Sequence, residues 1–337
     1  MQQTTTGDDG QAVDNPHETA FPKSGEGRLL FWIAVAFSAF QIATAAHLID
    51  MPSQVVRAVH VGFLALLAFP LIAAARNKPA SVRALAWILA AAGVGVALYQ
   101  WVEYTDLLLR AGDPLPRDII LGVIAIAIVF IAGWAMMGPA LPVICGFFLA
   151  YCLFGQYLPS PLNHRGYDFS QVIDHMAYGT EGIYGIPTYV SSTYIFLFIL
   201  FGAFLEKAGM ITLFTDVALG LVGHKQGGPA KVSVFSSGLM GTISGSGVAN
   251  VVTTGQFTIP LMKRFGYRPA FAGGVEATAS MGGQIMPPVM GAVAFIMAET
   301  LGVAYYEVVQ AAVIPAVLYF LSAFWIVHLE AGKRGLS

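Results

Sequence analysis

Charge is what this sequence has least of. Asp, Glu, Lys and Arg together make up 11% of its 337 residues, where soluble domains carry about 25%. So few charges exclude an ordinary water-exposed globule. The formal net charge of -2 excludes the basic footprint that nucleic-acid binding needs, and no nucleic-acid partner is expected. Only two cysteines are present, Cys145 and Cys152. They lie seven residues apart on one apolar segment, about 10 Å of helix rise, which excludes a disulfide between them. Catalytic motifs are missing too. There is no Gly-x-x-x-x-Gly-Lys loop, no His-x-x-x-His, no nucleophile elbow and no carboxylate pair suited to acid–base work. The chain is therefore not read as an enzyme. Residues 1–28 have no basic start running into a short apolar core, so they read as a cytoplasmic tail and not a signal peptide.

What the chain does have is apolar length. Hydrophobic residues make up 56% and mean hydropathy is +0.69. Runs long enough to cross a bilayer as helices lie near 29–49, 58–75, 84–102, 119–137, 139–157, 188–206, 269–299 and 305–328. The fold class that follows is an all-α integral membrane protein with about eight transmembrane helices. The 208–226 stretch, with Asp216 in its middle, reads as an amphipathic helix along the membrane surface. The external loop near 158–187 holds His164 and His175, but no ligand spacing recommends a metal site there. A capped loop or a surface for an external partner is expected.

The segment from Lys231 to Lys263 is different. It is long enough to cross a bilayer and uncharged between its ends, yet crowded with Ser, Thr and Gly. Its centre reads Gly241-Thr242-Ile243-Ser244-Gly245-Ser246-Gly247-Val248-Ala249-Asn250. Broken backbone at membrane depth is tolerated only where it is buried in protein or lines a cavity, and such breaks are where transporters bind ions and substrates. A helical hairpin near 232–262 is expected. Close helix packing through small residues is the plainer alternative. It explains the glycines, but less well the Ser-Gly-Ser-Gly run followed by Asn250.

Positive charge supports the hairpin. Loops rich in Lys and Arg stay in the cytoplasm, and Arg76, Lys78 and Arg83 set the orientation, with the N-terminus inside. If 232–262 enters and returns, only Arg57, Arg110, Arg117 and Arg165 fall outside, 4 of the 17 basic residues. A single crossing would also put Lys263, Arg264, Arg268, Lys333 and Arg334 outside.

The hairpin offers many neutral oxygens and no carboxylate, which suits a monovalent cation that must also leave. The start of a half-helix would attract an anionic group. A second break is expected where Gly282-Gly283-Gln284 runs into Pro287-Pro288, facing the hairpin and completing its site. Glu276 lies between the two, about two turns into an apolar helix. A carboxylate there is a functional candidate by default, although no role is assigned to it.

These residues resemble a known family. Ser244 to Gly255, Ile259-Pro260-Leu261-Met262-Lys263, Gly282 to Gly291 and His328-Leu329-Glu330-Ala331 look like the large permease component of tripartite ATP-independent periplasmic (TRAP) transporters. The likeness is nearest to fused permeases that work with a TAXI-type binding protein, and it covers about 140–337. Residues 29–137 are similar to the family's small membrane subunit in pattern only, a four-helix region preceding the first half of the transport domain at 138–337.

The resemblance implies an elevator-type secondary transporter in the bacterial inner membrane. It implies sodium-driven uptake of an organic anion, such as a carboxylate, delivered by a periplasmic binding protein, with no cofactor beyond the coupling ion. It places cation binding at Ser244, Gly245, Ser246, Gly247 and Asn250. It places substrate contacts at Thr242, Thr253, Thr254, Gly282, Gly283, Gln284, Pro287 and Pro288. The family's transport domain has two inverted repeats, each with a broken hairpin, and this sequence shows one. The other is expected from a continuation of the gene or from a second polypeptide. The alternatives are another hairpin-type sodium/anion symporter and a non-transporting membrane scaffold.

Overall fold

Apolar runs become helices here because nothing else satisfies the backbone away from water. The computed structural model describes Phe21 and residues 24–335. Most of the expected tail lies outside the described residues, and helix already begins at Gly25, where the Ser24 hydroxyl caps the Gly27 N–H at 3.2 Å. In chain order the helices are α1 (Gly25–Ala45), α2 (Ser53–Ala75), α3 (Ala80–Val102), α4 (Tyr104–Leu109), α5 (Pro116–Met137), α6 (Ala140–Phe154) and α7 (Phe169–Ala177). There follow α8 (Ile186–Val190), α9 (Phe196–Lys207), α10 (Met210–Val222), α11 (Gly228–Gly241), α12 (Gly247–Arg264), α13 (Pro269–Met281), α14 (Ala292–Leu301) and α15 (Tyr305–Arg334). No strand occurs among the described residues.

Seven of these segments are long and apolar enough to span a membrane, and no more than 39% of any of them is buried inside the protein. Their outward faces carry Trp32, Ile88, Phe147 and Trp325, among others. An exposed apolar surface of that extent belongs in lipid. The protein is an all-α, multi-pass membrane protein. The seventh expected span, 269–299, is interrupted: α13 and α14 have 13 and 10 residues, each too short to cross alone.

The chain forms two compact units. The first holds residues up to Phe40 and Ala58–Tyr178. Its core sets Ala65, Phe69 and Ala73 of α2 against Ala86 of α3 and Ile128 of α5. At one end of α3 and α5, Asp118 is fully buried. It accepts from Arg110 Nε at 2.8 Å and from the Tyr99 hydroxyl, while Arg110 also reaches Glu103 at 3.2 Å. The hydrogen bond to Asp118 holds the Arg110 guanidinium above its ordinary pKa. His164 is held between α6 and its own loop: one ring nitrogen lies 2.9 Å from the Tyr151 carbonyl and the other accepts from Gly166 N–H at 3.0 Å.

The second unit holds Gln41–Arg57 and residues from Gly179 onward. Here α10 packs its buried Ala218 and Val222 against Val232 of α11. Tyr267, Ala272, Val275 and Ala279 meet Ala230 and Val234 of α11 and Val327 and Ala331 of α15. Tyr194, Phe295 and Tyr305 form a stack, with the last two rings 4.1 Å apart between centroids.

Candidate functional site

The polar segment folds as two helical arms, α11 and α12, joined at 242–246. The arms run antiparallel in one register. Ser237 opposes Thr254, with hydroxyls 3.2 Å apart, and Asn250 Nδ2 donates to the Ser237 carbonyl at 2.9 Å. The chain therefore turns back on itself at the Ser-Gly-Ser-Gly run instead of continuing as one helix.

The break has local causes. α11 ends in tighter i→i−3 bonds, with Thr242 N–H on Leu239 O at 3.0 Å and Ile243 N–H on Met240 O at 3.1 Å. α12 restarts because Ser246, in extended backbone, caps it: the Ala249 N–H donates to Ser246 Oγ at 3.2 Å. This end of α12 carries amides without intrahelical acceptors.

The second break lies against the first. After α13, one 3-10 turn at Gly282–Ile285 leads into non-helical backbone up to Gly291, whose N–H returns to Gln284 O at 2.7 Å. Backbone meets backbone across the seam. A methyl group on Gly241 would lie 2.5 Å from Gly283 Cα. One on Gly245 would overlap the Met290 carbonyl oxygen. One on Gly247 would sit 2.6 Å from Met281 Sδ and 3.3 Å from Gln284 Nε2. The Ser244 and Gly245 carbonyls point into this seam, 3.7 and 3.4 Å from where Cβ atoms on Gly283 and Gly291 would stand. The structure thus brings Gly241, Ser244, Gly245, Gly247, Gly283 and Gln284 together, as expected of two facing breaks.

Other candidates are engaged elsewhere. Asn250 is fully buried between the arms, where its side chain bonds Ser237 and Thr254. The Thr253 hydroxyl returns to Ala249 O at 2.9 Å, and that of Thr242 to Leu239 O at 2.6 Å. Thr254 donates to Glu276. The carbonyls of Pro288 and Val289 are taken by the Tyr305 hydroxyl at 3.0 and 2.6 Å, and Pro287 is half-buried beside them.

Glu276 is fully buried and ringed by five hydroxyls. Oε1 accepts from Ser237 at 3.1 Å, Ser280 at 2.9 Å and Thr254; Oε2 accepts from Ser233 at 2.6 Å and Thr258. Gly255 leaves room for it, since a Cβ there would stand 3.2 Å from Glu276 Cγ. Sequence reasoning singled out Glu276 but assigned no role to Ser233, Thr258, Ser280 or Tyr305. The signal was present: Ser233 and Ser237, and Thr254 and Thr258, are i,i+4 hydroxyl pairs that each share one helix face.

Comparison with known proteins gives the family. Residues 124–337 match the family described as tripartite ATP-independent periplasmic transporter, DctM component. A putative TRAP transporter large permease protein of Haemophilus influenzae is 32% identical over 121 residues, 36% of this chain and 28% of that protein. A C4-dicarboxylate TRAP transporter large permease protein of Pseudomonas aeruginosa is 32% identical over 139 residues, covering 41% and 32%. A sialic acid TRAP transporter large permease protein of Vibrio cholerae is 28% identical over 138 residues, again 41% and 32%. The matches thus span about a third of these relatives' length. With more than half of its residues in the family match, hairpin and second break included, the chain belongs to the DctM family of TRAP transporter permeases.

Proposed function

We propose that this chain forms the ion- and solute-handling part of a secondary transporter. It takes up an organic anion, a carboxylate, at the expense of a sodium gradient. The observation that carries this reading is the seam of facing breaks, where carbonyls of Ser244 and Gly245 approach the Gly283–Gly291 backbone. Carbonyl and hydroxyl oxygens without a carboxylate suit a monovalent cation. The start of α12, with its amides beside the seam, suits an anionic group. Two relatives bear names that state C4-dicarboxylate and sialic acid transport, both organic acids.

In this reading the solute arrives on a periplasmic binding protein of the TAXI type, the membrane is the bacterial inner membrane, and the N-terminus is cytoplasmic. The hairpin enters from the cytoplasmic side and moves with its neighbours as an elevator. The rest of the two-hairpin site comes from the remainder of the permease.

The test is cysteine protection. With Cys145 and Cys152 replaced by alanine, Gln284→Cys is labelled with a maleimide in lipid nanodiscs, in sodium or in potassium at equal ionic strength. Sodium is expected to slow labelling about tenfold near saturation. Equal rates in the two ions would remove sodium from the reading. Uptake of a labelled carboxylate by liposomes, with the binding protein outside, then tests the solute.

A further inference from the structure

We propose that Glu276 is the positioning residue of the hairpin tip, and that its two carboxylate oxygens do different jobs. The inference rests on the reading of the tip as the binding element, although it concerns the geometry and not what binds there.

The hydroxyls around Glu276 form two rungs. Ser237 and Thr254, with Oε1, are the rung nearer the tip; Ser233 and Thr258, with Oε2, lie one helical turn further away on both arms. Glu276 belongs to neither arm. It comes from α13, whose end runs into the second break at Gly282, and Ser280, one turn nearer that break, also donates to Oε1 at 2.9 Å. One carboxylate therefore ties both arms of the first break to the helix that leads into the second.

Only the Oε1 rung continues to the tip. The Ser237 carbonyl accepts from Asn250 Nδ2 at 2.9 Å, and Thr254 Oγ1 lies 3.2 Å from Asn250 Oδ1. Asn250 in turn gives its backbone N–H to Ser246 O at 3.0 Å. Ser246 is the cap that restarts α12 beside the seam. The path from Glu276 Oε1 through Ser237 to Asn250 and Ser246 is continuous in hydrogen bonds, and Thr254, whose proton goes to Oε1, lies against it. From Oε2 the contacts stay within the arms and do not reach Asn250 or Ser246: the Thr258 hydroxyl lies 3.0 Å from Thr254 O, and the Ser233 carbonyl accepts from Ser236. Oε1 therefore sets where Asn250 and the tip stand relative to the second break, and Oε2 holds the arms together.

The two rungs give the test its discrimination. Ser237→Ala/Thr254→Val and Ser233→Ala/Thr258→Val each remove two buried hydroxyls from the same carboxylate, so both cost stability. The readout is tip geometry: the rate at which a short bismaleimide bridges Ser246→Cys and Gln284→Cys in the background without Cys145 and Cys152. The Oε1 pair is expected to slow bridging about tenfold, and the Oε2 pair less than about twofold, at a comparable melting temperature. Glu276→Leu removes both oxygens at similar size and serves if a double variant does not fold. It should slow bridging at least as much as the Oε1 pair does. Equal effects from the two pairs, or an unchanged rate in Glu276→Leu, would overturn the proposal. Sodium protection of Gln284→Cys in the otherwise unaltered chain tests the function reading alone, so the two can fail separately.

Discussion

Gly241 and Gly283 stand so close that a methyl group on Gly241 would fall 2.5 Å from the Cα of Gly283. They come from different elements, the end of α11 and the single turn after α13, and no side chain separates them.

The first prediction concerns that approach. Gly241→Ala and Gly245→Ala force the breaks apart, and each should cost at least about 2 kcal/mol, the usual penalty for overfilling a packed site. Gly273→Ala and Gly274→Ala are the matched comparison. Both positions lie inside α13 with open space beside them, so alanine there should be neutral or stabilising by up to about 1 kcal/mol. Thermal unfolding of the four variants in nanodiscs checks this. Similar melting temperatures for all four would mean that the seam is not tight.

Asn250→Asp is nearly isosteric, but it replaces the Nδ2 donor with an acceptor facing the Ser237 carbonyl. Leaving that buried group unpaired should cost about 1–3 kcal/mol. A melting temperature like that of the parent would show that the arms do not depend on this bond.

Ser246 has two candidate roles that can be separated. As the cap of α12, its loss in Ser246→Ala should cost about 1 kcal/mol, and Ser246→Gly, which has no side-chain oxygen, should restore most of it. As an oxygen ligand at the seam, it should also weaken the sodium response, here read from protection of Gln284→Cys. Recovery of stability without recovery of the sodium response would assign it both roles. Recovery of both would leave only the cap.

Tyr305→Phe keeps the ring stacked on Phe295 and removes the hydroxyl that holds the Pro288 and Val289 carbonyls. The loss should be about 1 kcal/mol. Hydrogen exchange of the Gly291 amide, which closes the second break on Gln284 O, should quicken. Unchanged exchange would place the restraint elsewhere.

The sequence made some of this legible and hid the rest. Spans can be read because lipid permits only apolar, internally bonded helices, so 139–157 and 188–206 lie close to observed helices. The hairpin was legible because Ser244-Gly245-Ser246-Gly247 cannot sit comfortably in a plain helix, and the facing break because Gly282-Gly283 precedes Pro287-Pro288. What stayed hidden was pairing across the arms. Asn250 reads as a tip residue, but the antiparallel register turns it inward onto Ser237. Thr254 reads as a substrate contact, yet it faces Glu276. A helix shows its faces in the sequence but not its partner, and Glu276 takes its meaning from partners 18 to 43 residues away. The Arg110–Asp118 pair was missed for a related reason: each residue alone looks like ordinary interfacial polarity.

On the proposed reading the glycine seam has a consequence for selectivity. A joint lined mostly by main chain has few rotamers to freeze when something settles there, so little ordering entropy is lost on occupation. It also has few side chains that could swing toward a poor fit. Discrimination at such a joint depends mainly on one length, the spacing between two stretches of backbone. Any residue that resets this spacing, however far from the occupant, then acts on selectivity as directly as a ligand would.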